Sequence, residues 1–220
     1  MAKGVDINSR SLVNAQAEKH GGICARINAD HQLKRKAADI LLAALFEPDS
    51  AVLSHCKNVS RICEAVARRM NLSGDEIGEI KTAGMLHDVG KTEISDALLN
   101  KLGQLDDDEW ERIKQHAAIG CDIVGSIDGF SRVAGFILEH HEHWDGSGYP
   151  NGLRGNKISL QARIIAVADA FDAMTSDRPY KKAVGTREAL AEIQANAGTQ
   201  FDPDVVEDFM SVLCPEALYA

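Results

Sequence analysis

The chain lacks the sequence features that mark several large protein classes. No apolar run approaches the roughly 18 residues of a transmembrane helix, and the polar segment 1–10 has no signal-peptide core. The net charge is -9, which argues against a protein that binds duplex nucleic acid, because such proteins usually present a basic face. We therefore predict a cytoplasmic protein without a membrane segment and without a duplex nucleic-acid partner.

Cysteine provides no framework either. The 5 cysteines are scattered, odd in number and without CxxC spacing, so the sequence predicts neither a disulfide scaffold nor a zinc–thiolate site. Strand patterns are absent as well, because apolar residues recur at helical spacing and no alternation of any length interrupts them. The predicted fold class is therefore all-α, and 220 residues are enough for one sizeable core.

Two parts of the chain differ in pattern. Residues 1–49 are interpreted as an N-terminal arm with a helix at 31–46, the remnant of a connection to an upstream module. A plain surface extension is the alternative. Residues 50–220 carry a regular series of amphipathic helices and form the main domain.

A histidine and an aspartate end one of these helices. Ser73 and Glu76 form the capping-box pattern that starts it, and its apolar face continues into His87, with Asp88 directly after. A buried imidazole beside a buried carboxylate needs partners, because an unpaired charge in an apolar core costs several kcal/mol or more. A divalent metal suits both groups, although a histidine satisfied by protein neighbours is the plainer interpretation of a single pair.

Further histidines lie on or beside apolar helical faces. His55 lies at the edge of such a face, where a packing role is the simpler interpretation. His116 lies beside Trp110, which we predict to face inward. His140 and His141 end a later helix. Because consecutive residues differ by about 100° around a helix axis, these two rings are able to serve two different metal ions.

A nearly all-apolar helix at 160–175 contains two aspartates. Asp169 and Asp172 are three residues apart and share one face. A helix that is apolar on all sides is buried, and a buried carboxylate requires a cation or several hydrogen-bond donors. These aspartates strengthen the case for a metal site.

Histidine and carboxylate ligands without thiolate suit iron, manganese, zinc or nickel. Seven such ligands are more than one site with open water positions needs, and they fit two metals that share a bridging carboxylate. Two metals about 3.5–4 Å apart serve phosphate-ester hydrolysis, in which the pKa of a bridging water is lowered to give hydroxide. The predicted ligands are His55, His87, Asp88, His116, His140, His141 and Asp169.

Several motifs follow one another along the chain: His87-Asp88-Val89-Gly90-Lys91, His116, His140-His141, Gly148-Tyr149-Pro150, Asp169, Asp172 and Asp177-Arg178-Pro179-Tyr180. In this order they resemble the HD superfamily of metal-dependent phosphohydrolases and, within it, the HD-GYP family. The resemblance covers about residues 50–213. It implies an HD-type helical bundle with the dimetal site among core helices, and a catalytic domain at 50–220 that hydrolyses cyclic di-GMP to pGpG, with GMP as the alternative end product.

The resemblance also implies a role for each residue. His55, His87, Asp88 and Asp169 would hold one metal, and Asp88 would bridge to a second metal held by the three remaining histidines. Asp88 and Lys91 would be the catalytic pair, with Lys91 at the scissile phosphate. Substrate contacts would come from Lys91, Asp172, Arg178 and Lys181.

One position departs from the family pattern. Some members have an acidic residue one helical turn before the first histidine, where it supports a third metal, but here that position is Ala51. Two ions are therefore predicted, iron or manganese in the first place and zinc or nickel as alternatives. The resemblance further implies a protein partner at the loop 148–150, and it is compatible with a homodimer.

Other functions stay open on the sequence alone. The same pocket would suit a cyclic dinucleotide sensor that turns over negligibly, or a hydrolase of cyclic GMP-AMP. A helical scaffold without metal is the remaining alternative, and it would leave Asp169 and the His140-His141 pair without partners.

Overall fold

The structure is a computed structural model, which describes residues 36, 51–101, 103–177 and 182–213. Lys36 is helical, but the rest of the helix predicted at 31–46 and the boundary between residues 49 and 50 lie outside the described residues. Arg178 and Lys181 lie outside them too. The division of the chain into an arm and a main domain therefore stays a prediction.

Nine α-helices make up most of the described part of the chain, in which there is no β-strand and no helix long and apolar enough to cross a membrane. In chain order they are α1 (Ala51–Arg69), α2 (Gly74–Leu86), α3 (Asp96–Leu99), α4 (Asp107–Lys114), α5 (His116–Gly125), α6 (Ser131–Glu139), α7 (Leu160–Thr175), α8 (Thr186–Ala195) and α9 (Pro203–Leu213). Short 3-10 turns at Val89–Glu93 and Gly155–Lys157 follow α2 and α6. The predicted all-α class is confirmed.

Helix boundaries follow the capping signals in the sequence. Ser73 Oγ accepts a hydrogen bond from the Glu76 backbone N–H, and the Glu76 carboxylate accepts one from the Ser73 N–H, so the predicted capping box is formed. Asp106 starts α4 with a second capping box. α6 ends one residue before His140, which takes the C-cap position, so this helix is two residues shorter than predicted.

The core forms where α1, α2, α6 and α7 meet. α1 packs against α2 and α7, α6 packs against α2 and α5, and α8 and α9 pack against α7. These helices turn apolar side chains inward, and full burial of one Val, Leu or Ile side chain contributes about 1.5–3 kcal/mol. Fully buried examples are Val59, Ile80, Leu86, Ile137 and Ile165.

α4 differs from the core helices because it buries none of its residues. Trp110 lies on this helix and is 46% exposed, so the prediction that it faces inward is wrong. The reason is the position of the helix: its main neighbours are the single-turn α3 and the following α5. Neither neighbour is one of the four helices whose meeting forms the core, which agrees with the exposure of the indole.

Candidate metal centre

The described helices bring all seven predicted ligands together. The ends of α2 and α6 and the start of α5 supply five of them, and the interiors of α1 and α7 supply the other two. We define the first group as His55, His87, Asp88 and Asp169. We define the second group as His116, His140 and His141.

In the first group the donor atoms lie at distances close to those of ligands around a single ion. His55 Nε2 is 3.1 Å and His87 Nε2 is 3.7 Å from Asp169 Oδ1. Asp88 Oδ2 is 3.9 Å from His55 Nε2 and 3.6 Å from His87 Nε2. Ligands at about 2.1 Å from one ion are roughly 3–3.5 Å from each other, so small shifts would let all four side chains share one ion.

The second group is built from imidazoles alone. His116 Nε2 lies 3.4 Å from His140 Nε2, and each of the three residues offers a ring nitrogen within 4.8 Å of the other two. The ring centroids of His140 and His141 are 4.0 Å apart. Three nitrogen donors leave further coordination positions open for water or substrate.

The Asp88 carboxylate lies between the two groups. Its Oδ2 faces His55 and His87 of the first group, whereas its Oδ1 lies 3.6 Å from His116 Nε2 of the second group. The side chain is 5% exposed, so both oxygens are directed into the protein. A carboxylate in this position is able to bridge two ions.

Backbone carbonyls orient three of the histidines. Each of these rings donates its Nδ1–H to the carbonyl three residues earlier, in the last turn of a helix, where carbonyls lack an intrahelical partner. Nε2 then presents its lone pair to the site. The pairs are His87 with Gly84, His116 with Ile113 and His140 with Ile137, at 2.9, 2.7 and 2.5 Å.

His55 is oriented by a carboxylate instead. Its Nδ1 lies 2.6 Å from Asp172 Oδ2, and Ser176 Oγ donates to the same oxygen at 3.3 Å. Asp172 is 4% exposed. The sequence predicts Asp172 as a substrate contact, but the structure places it behind His55, in the position of a carboxylate that orients a metal-binding histidine.

Several buried polar atoms of the site are left unsatisfied by the protein. His87 Nε2 and Asp88 Oδ1 have no hydrogen-bond partner within the described residues, and His55 Nε2 has none when its ring is neutral. They lie 3.6, 3.6 and 3.1 Å from another predicted ligand. An unpaired buried polar atom costs about 1–3 kcal/mol and is rare in native proteins. Divalent cations would accept all three lone pairs, so the residues fit a metal centre.

The charges of the first group depend on one another. Burial acts to lower the pKa of His55, but the carboxylates of Asp169 and Asp172 outweigh it and raise that pKa to about 9. Burial acts to raise the pKa of Asp88, yet the neighbouring Lys91 holds it well below its ordinary range. The adjacent histidines lower the pKa of Asp169 against its burial. Without metal, the first group therefore contains two carboxylates and a protonated His55 at neutral pH.

The second group is neutral instead. Burial lowers the pKa of His116, and burial together with the neighbouring His141 holds the pKa of His140 well below its ordinary value. Burial also lowers the pKa of His141 to about 3. The three imidazoles are therefore unprotonated at neutral pH, which is the form that binds metal.

Lys91 lies one turn beyond Asp88. Its Nζ is 2.6 Å from Asp88 Oδ2 and its side chain is 29% exposed, so the ammonium group lies where the site meets solvent. Gly90 allows this turn to approach α5 closely, because a Cβ there would lie 2.1 Å from the His116 carbonyl oxygen and 2.6 Å from the Gly120 nitrogen. The turn with Asp88 and Lys91 therefore packs directly on the backbone of α5.

A buried glutamate that sequence reasoning missed organises the loop after α6. Glu142 is 2% exposed, and its carboxylate accepts hydrogen bonds from the N–H groups of Asn151 and Leu153 at 2.7 and 2.9 Å. An acidic residue at the start of a turn-rich loop was the available signal, but a solvated side chain has the same pattern. The contact became visible only in three dimensions.

The same loop covers the second group with an aromatic ring. Gly148 is required because a Cβ there would lie 2.2 Å from the His143 nitrogen. The Tyr149 N–H donates to the His141 carbonyl at 3.1 Å. The Tyr149 ring then stacks on the His141 ring, with centroids 4.9 Å apart and planes at 29°.

Three further positions were singled out in the sequence: Ala51, Arg178 and Lys181. Ala51 is exposed at the first position of α1, and its methyl group supplies no ligand to the first group. Arg178 and Lys181 fall outside the described residues, so their role stays a prediction.

The chain is an all-helical bundle that brings two adjacent groups of metal-binding side chains together. These features are those of a helical domain built around a metal centre. Comparison with known proteins is more specific. The model of the HD domain family matches residues 14–205. The cyclic di-GMP phosphodiesterase response regulator RpfG of Xanthomonas campestris is 41% identical over 187 residues, which are 84% of this chain and 50% of that protein.

Two further proteins extend the comparison. The 3'3'-cGAMP-specific phosphodiesterase 3 of Vibrio cholerae is 39% identical over 150 residues, which are 68% of this chain and 33% of that protein. Bd1817 of Bdellovibrio bacteriovorus, described as an HDG"Y"P protein, has the same fold with a TM-score of 0.62 at 18% identity, covering 85% of this chain and 63% of that one.

The chain belongs to the HD domain family, and its resemblance to the HD-GYP branch of that family is confirmed. It spans half or less of the length of the curated relatives described above.

Proposed function

We propose that this chain is a metal-dependent phosphodiesterase that hydrolyses cyclic di-GMP to pGpG, with further cleavage to GMP as the alternative end point. The observation that carries the proposal is the Asp88 carboxylate, whose two oxygens face two separate groups of ligands. This arrangement suits two ions about 3.5–4 Å apart that act on one phosphate. The similarity to a cyclic di-GMP phosphodiesterase supports the choice of substrate.

The first group would hold one divalent ion and the second group another, with Asp88 shared between them. When bound, two such ions supply Lewis-acid chemistry: they neutralise phosphate charge and lower the pKa of a water molecule. All the donors are nitrogen or oxygen atoms, which suits iron or manganese and also zinc or nickel. Iron or manganese is the identity that we propose.

The chain's own basic side chains would position the substrate. Lys91 brings a positive charge beside Asp88 at the solvent edge of the site, where it would bind a phosphate oxygen and stabilise charge on the departing oxygen. Asp88 and Lys91 form the catalytic pair of this proposal. Arg178 and Lys181, predicted from the sequence, would bind the phosphates. Asp172 would act through His55 rather than by touching the substrate.

Cyclic GMP-AMP is the second candidate substrate, and the similarity to a cGAMP-specific phosphodiesterase favours it. Both cyclic dinucleotides contain two phosphodiesters, so one metal centre would serve either of them. The choice between them then depends on contacts with the bases. The protein partner at the loop 148–150, the homodimer and the cytoplasmic location stay predictions.

The test uses the full chain loaded anaerobically with ferrous iron or with manganese. It is incubated with cyclic di-GMP or cyclic GMP-AMP, and the products are separated by chromatography. We expect a linear dinucleotide from cyclic di-GMP, and a rate about 10²-fold lower for Lys91→Ala because a charge that stabilises the transition state is lost. Lys57→Ala removes an exposed lysine of α1 and should leave the rate unchanged.

Two outcomes would contradict hydrolysis of cyclic di-GMP. The absence of linear product with either metal rules against a phosphodiesterase. Tight binding of cyclic di-GMP in calorimetry, with the ligand recovered unchanged, would identify a sensor instead. A much higher rate on cyclic GMP-AMP would change the substrate but keep the enzyme.

A further inference from the structure

The two tryptophans of the chain have different surroundings. Trp144 is half-buried, its backbone N–H donates to the Gln200 carbonyl, and the Arg163 guanidinium lies 5.5 Å from its ring centroid. Trp110 is 46% exposed on α4. A single exposed indole is ordinary on a protein surface, so its exposure alone indicates nothing about function.

The position of Trp110 relative to the metal centre is the second observation. Its ring lies 6.4 Å from the Tyr149 ring at 79°, and Tyr149 in turn stacks on His141 of the second group. The two centroid distances together place the indole no more than about 11 Å from the His141 ring. This is comparable to the distance from the phosphate of a nucleotide to the far edge of its base.

One lysine lies beside these rings, on a helix whose first turn is acidic, so the anionic part of a ligand would be held at the metal centre rather than at α4. Lys114 Nζ lies 5.8 Å from the Tyr149 ring centroid and is paired with Glu111. Lys91, at the solvent edge of the first group, is the other lysine already placed near the site. A ligand with a flat apolar ring and a phosphate would meet an aromatic surface at one end and ligand atoms for metal at the other.

We propose that Trp110 stacks against a purine base of the dinucleotide whose phosphate lies at the metal centre. The inference rests on the proposed function, and it makes Trp110 a residue that binds the substrate without taking part in bond cleavage. Base–aromatic stacking tolerates any base, because every base has a π face. Trp110 therefore contributes affinity for a nucleotide, while the distinction between guanine and adenine lies elsewhere.

Kinetics of Trp110→Ala and Trp110→Phe on the metal-loaded chain test this inference. With cyclic di-GMP we expect KM to rise about tenfold for Trp110→Ala, with kcat within about twofold of wild type, because stacking on an aromatic ring is lost. Trp110→Phe should recover most of the affinity. Methyl 4-nitrophenyl phosphate, a diester without a nucleobase, should be cleaved equally by all three proteins.

Fluorescence gives a readout that does not depend on turnover. In Trp144→Phe, Trp110 is the remaining tryptophan, and we expect saturable quenching when cyclic di-GMP is mixed rapidly with the metal-loaded protein, before any of it is hydrolysed. In Trp110→Phe, which retains Trp144, the quenching should be absent.

The possible outcomes separate this inference from the proposed function. An unchanged KM in Trp110→Ala, or a parallel loss of activity on the diester without a base, would overturn the stacking role. Quenching of Trp110 in Trp144→Phe, together with a wild-type protein that hydrolyses no cyclic dinucleotide, would support the stacking role and reject the enzymatic proposal.

Discussion

The two halves of the metal centre differ in their chemistry although they share Asp88. The first group has two carboxylates among its four members, and Asp172 lies behind it as a third. The second group has three imidazoles held by burial and by backbone carbonyls. One half is therefore rich in negative charge, whereas the other is neutral before any ion arrives.

This difference determines what an incoming ion displaces in each half. In the first group an ion competes with the proton of His55, whose pKa is raised to about 9. In the second group the imidazoles carry no proton at neutral pH, because burial has lowered their pKa values. We infer that binding to the first group releases a proton and strengthens with rising pH, while binding to the second group changes little near neutrality.

The largest expected effect comes from removing what the two halves share. Asp88→Asn replaces one oxygen of the carboxylate that faces both groups with an NH2 group, which does not bind metal. Two-metal catalysis stabilises the transition state by several kcal/mol, so we expect turnover of cyclic di-GMP to fall by about 10³-fold. Elemental analysis should find fewer than two ions per chain.

The control for this variant is Asp128→Asn, which changes an exposed aspartate between α5 and α6. It should retain full activity and metal content. If Asp88→Asn kept both ions and normal turnover, Asp88 would not be a bridging ligand.

A change at Asp172 should affect one half only. Asp172→Ala removes the acceptor of the His55 Nδ1–H, and loss of such an orienting carboxylate typically costs 10–100-fold in metal affinity. Asp172→Asn should lose less, because its amide oxygen still accepts. Competition with a chromophoric chelator would measure two affinities, of which only one should fall.

Asp122→Ala, a change at an exposed residue of α5, is the matched control. An equal fall at both ions in Asp172→Ala would show that the carboxylate supports the whole fold rather than His55.

The two halves should change the free energy of unfolding of the metal-free protein in opposite directions as the pH rises. His141 has a folded pKa of about 3, below the usual 6.5, so stability falls as pH drops below about 6.5, by about 2 kcal/mol at pH 5. His55 has a folded pKa of about 9, so its contribution is fully present below about pH 6.5 and is lost as pH rises through about 9.

Urea denaturation of chelator-treated protein at pH 5, 7 and 9.5 would measure the loss of stability on both the acid and the alkaline side. His141→Gln should make the loss of stability in acid smaller without abolishing it, because the pKa values of His116 and His140 are lowered too. His55→Gln should reduce the loss at alkaline pH. A stability that does not change across this range would contradict the charge assignment of both groups.

The smallest effect is expected where a carboxylate is added to the first group. Ala51→Glu introduces an acid one turn before His55 at an exposed position, so the free energy of unfolding should change by no more than about 0.5 kcal/mol. Metal content should rise from two ions toward three. A wild-type chain that already holds three ions would refute the predicted pair.

Much of the fold was predictable because helix periodicity and caps are local signals. The capping box of Ser73 and Glu76 fixed the start of α2, and that placed His87 and Asp88 at the other end of the helix. That the seven side chains would lie together was also predictable, because buried imidazoles and carboxylates are costly without partners. The ligand roles themselves remain predictions until metal is measured.

The remaining features depend on contacts between distant segments. His55 and Asp172 are separated by 117 positions, and no spacing rule gives the ring nitrogen that a carboxylate contacts. Glu142 resembles a loop residue until the two N–H groups that it binds are known. Trp110 was predicted to face inward on its helix, but the position of α4 leaves it exposed.

The contact at Gly90 fixes the spacing of two segments that carry ligands. The turn with Asp88 and the backbone of α5, which begins at His116, touch with no side chain between them. A methyl group at position 90 would overlap main-chain atoms, which have no rotamers to exchange. We therefore expect substitution of Gly90 to push Asp88 and His116 apart and to disturb both groups of ligands at once.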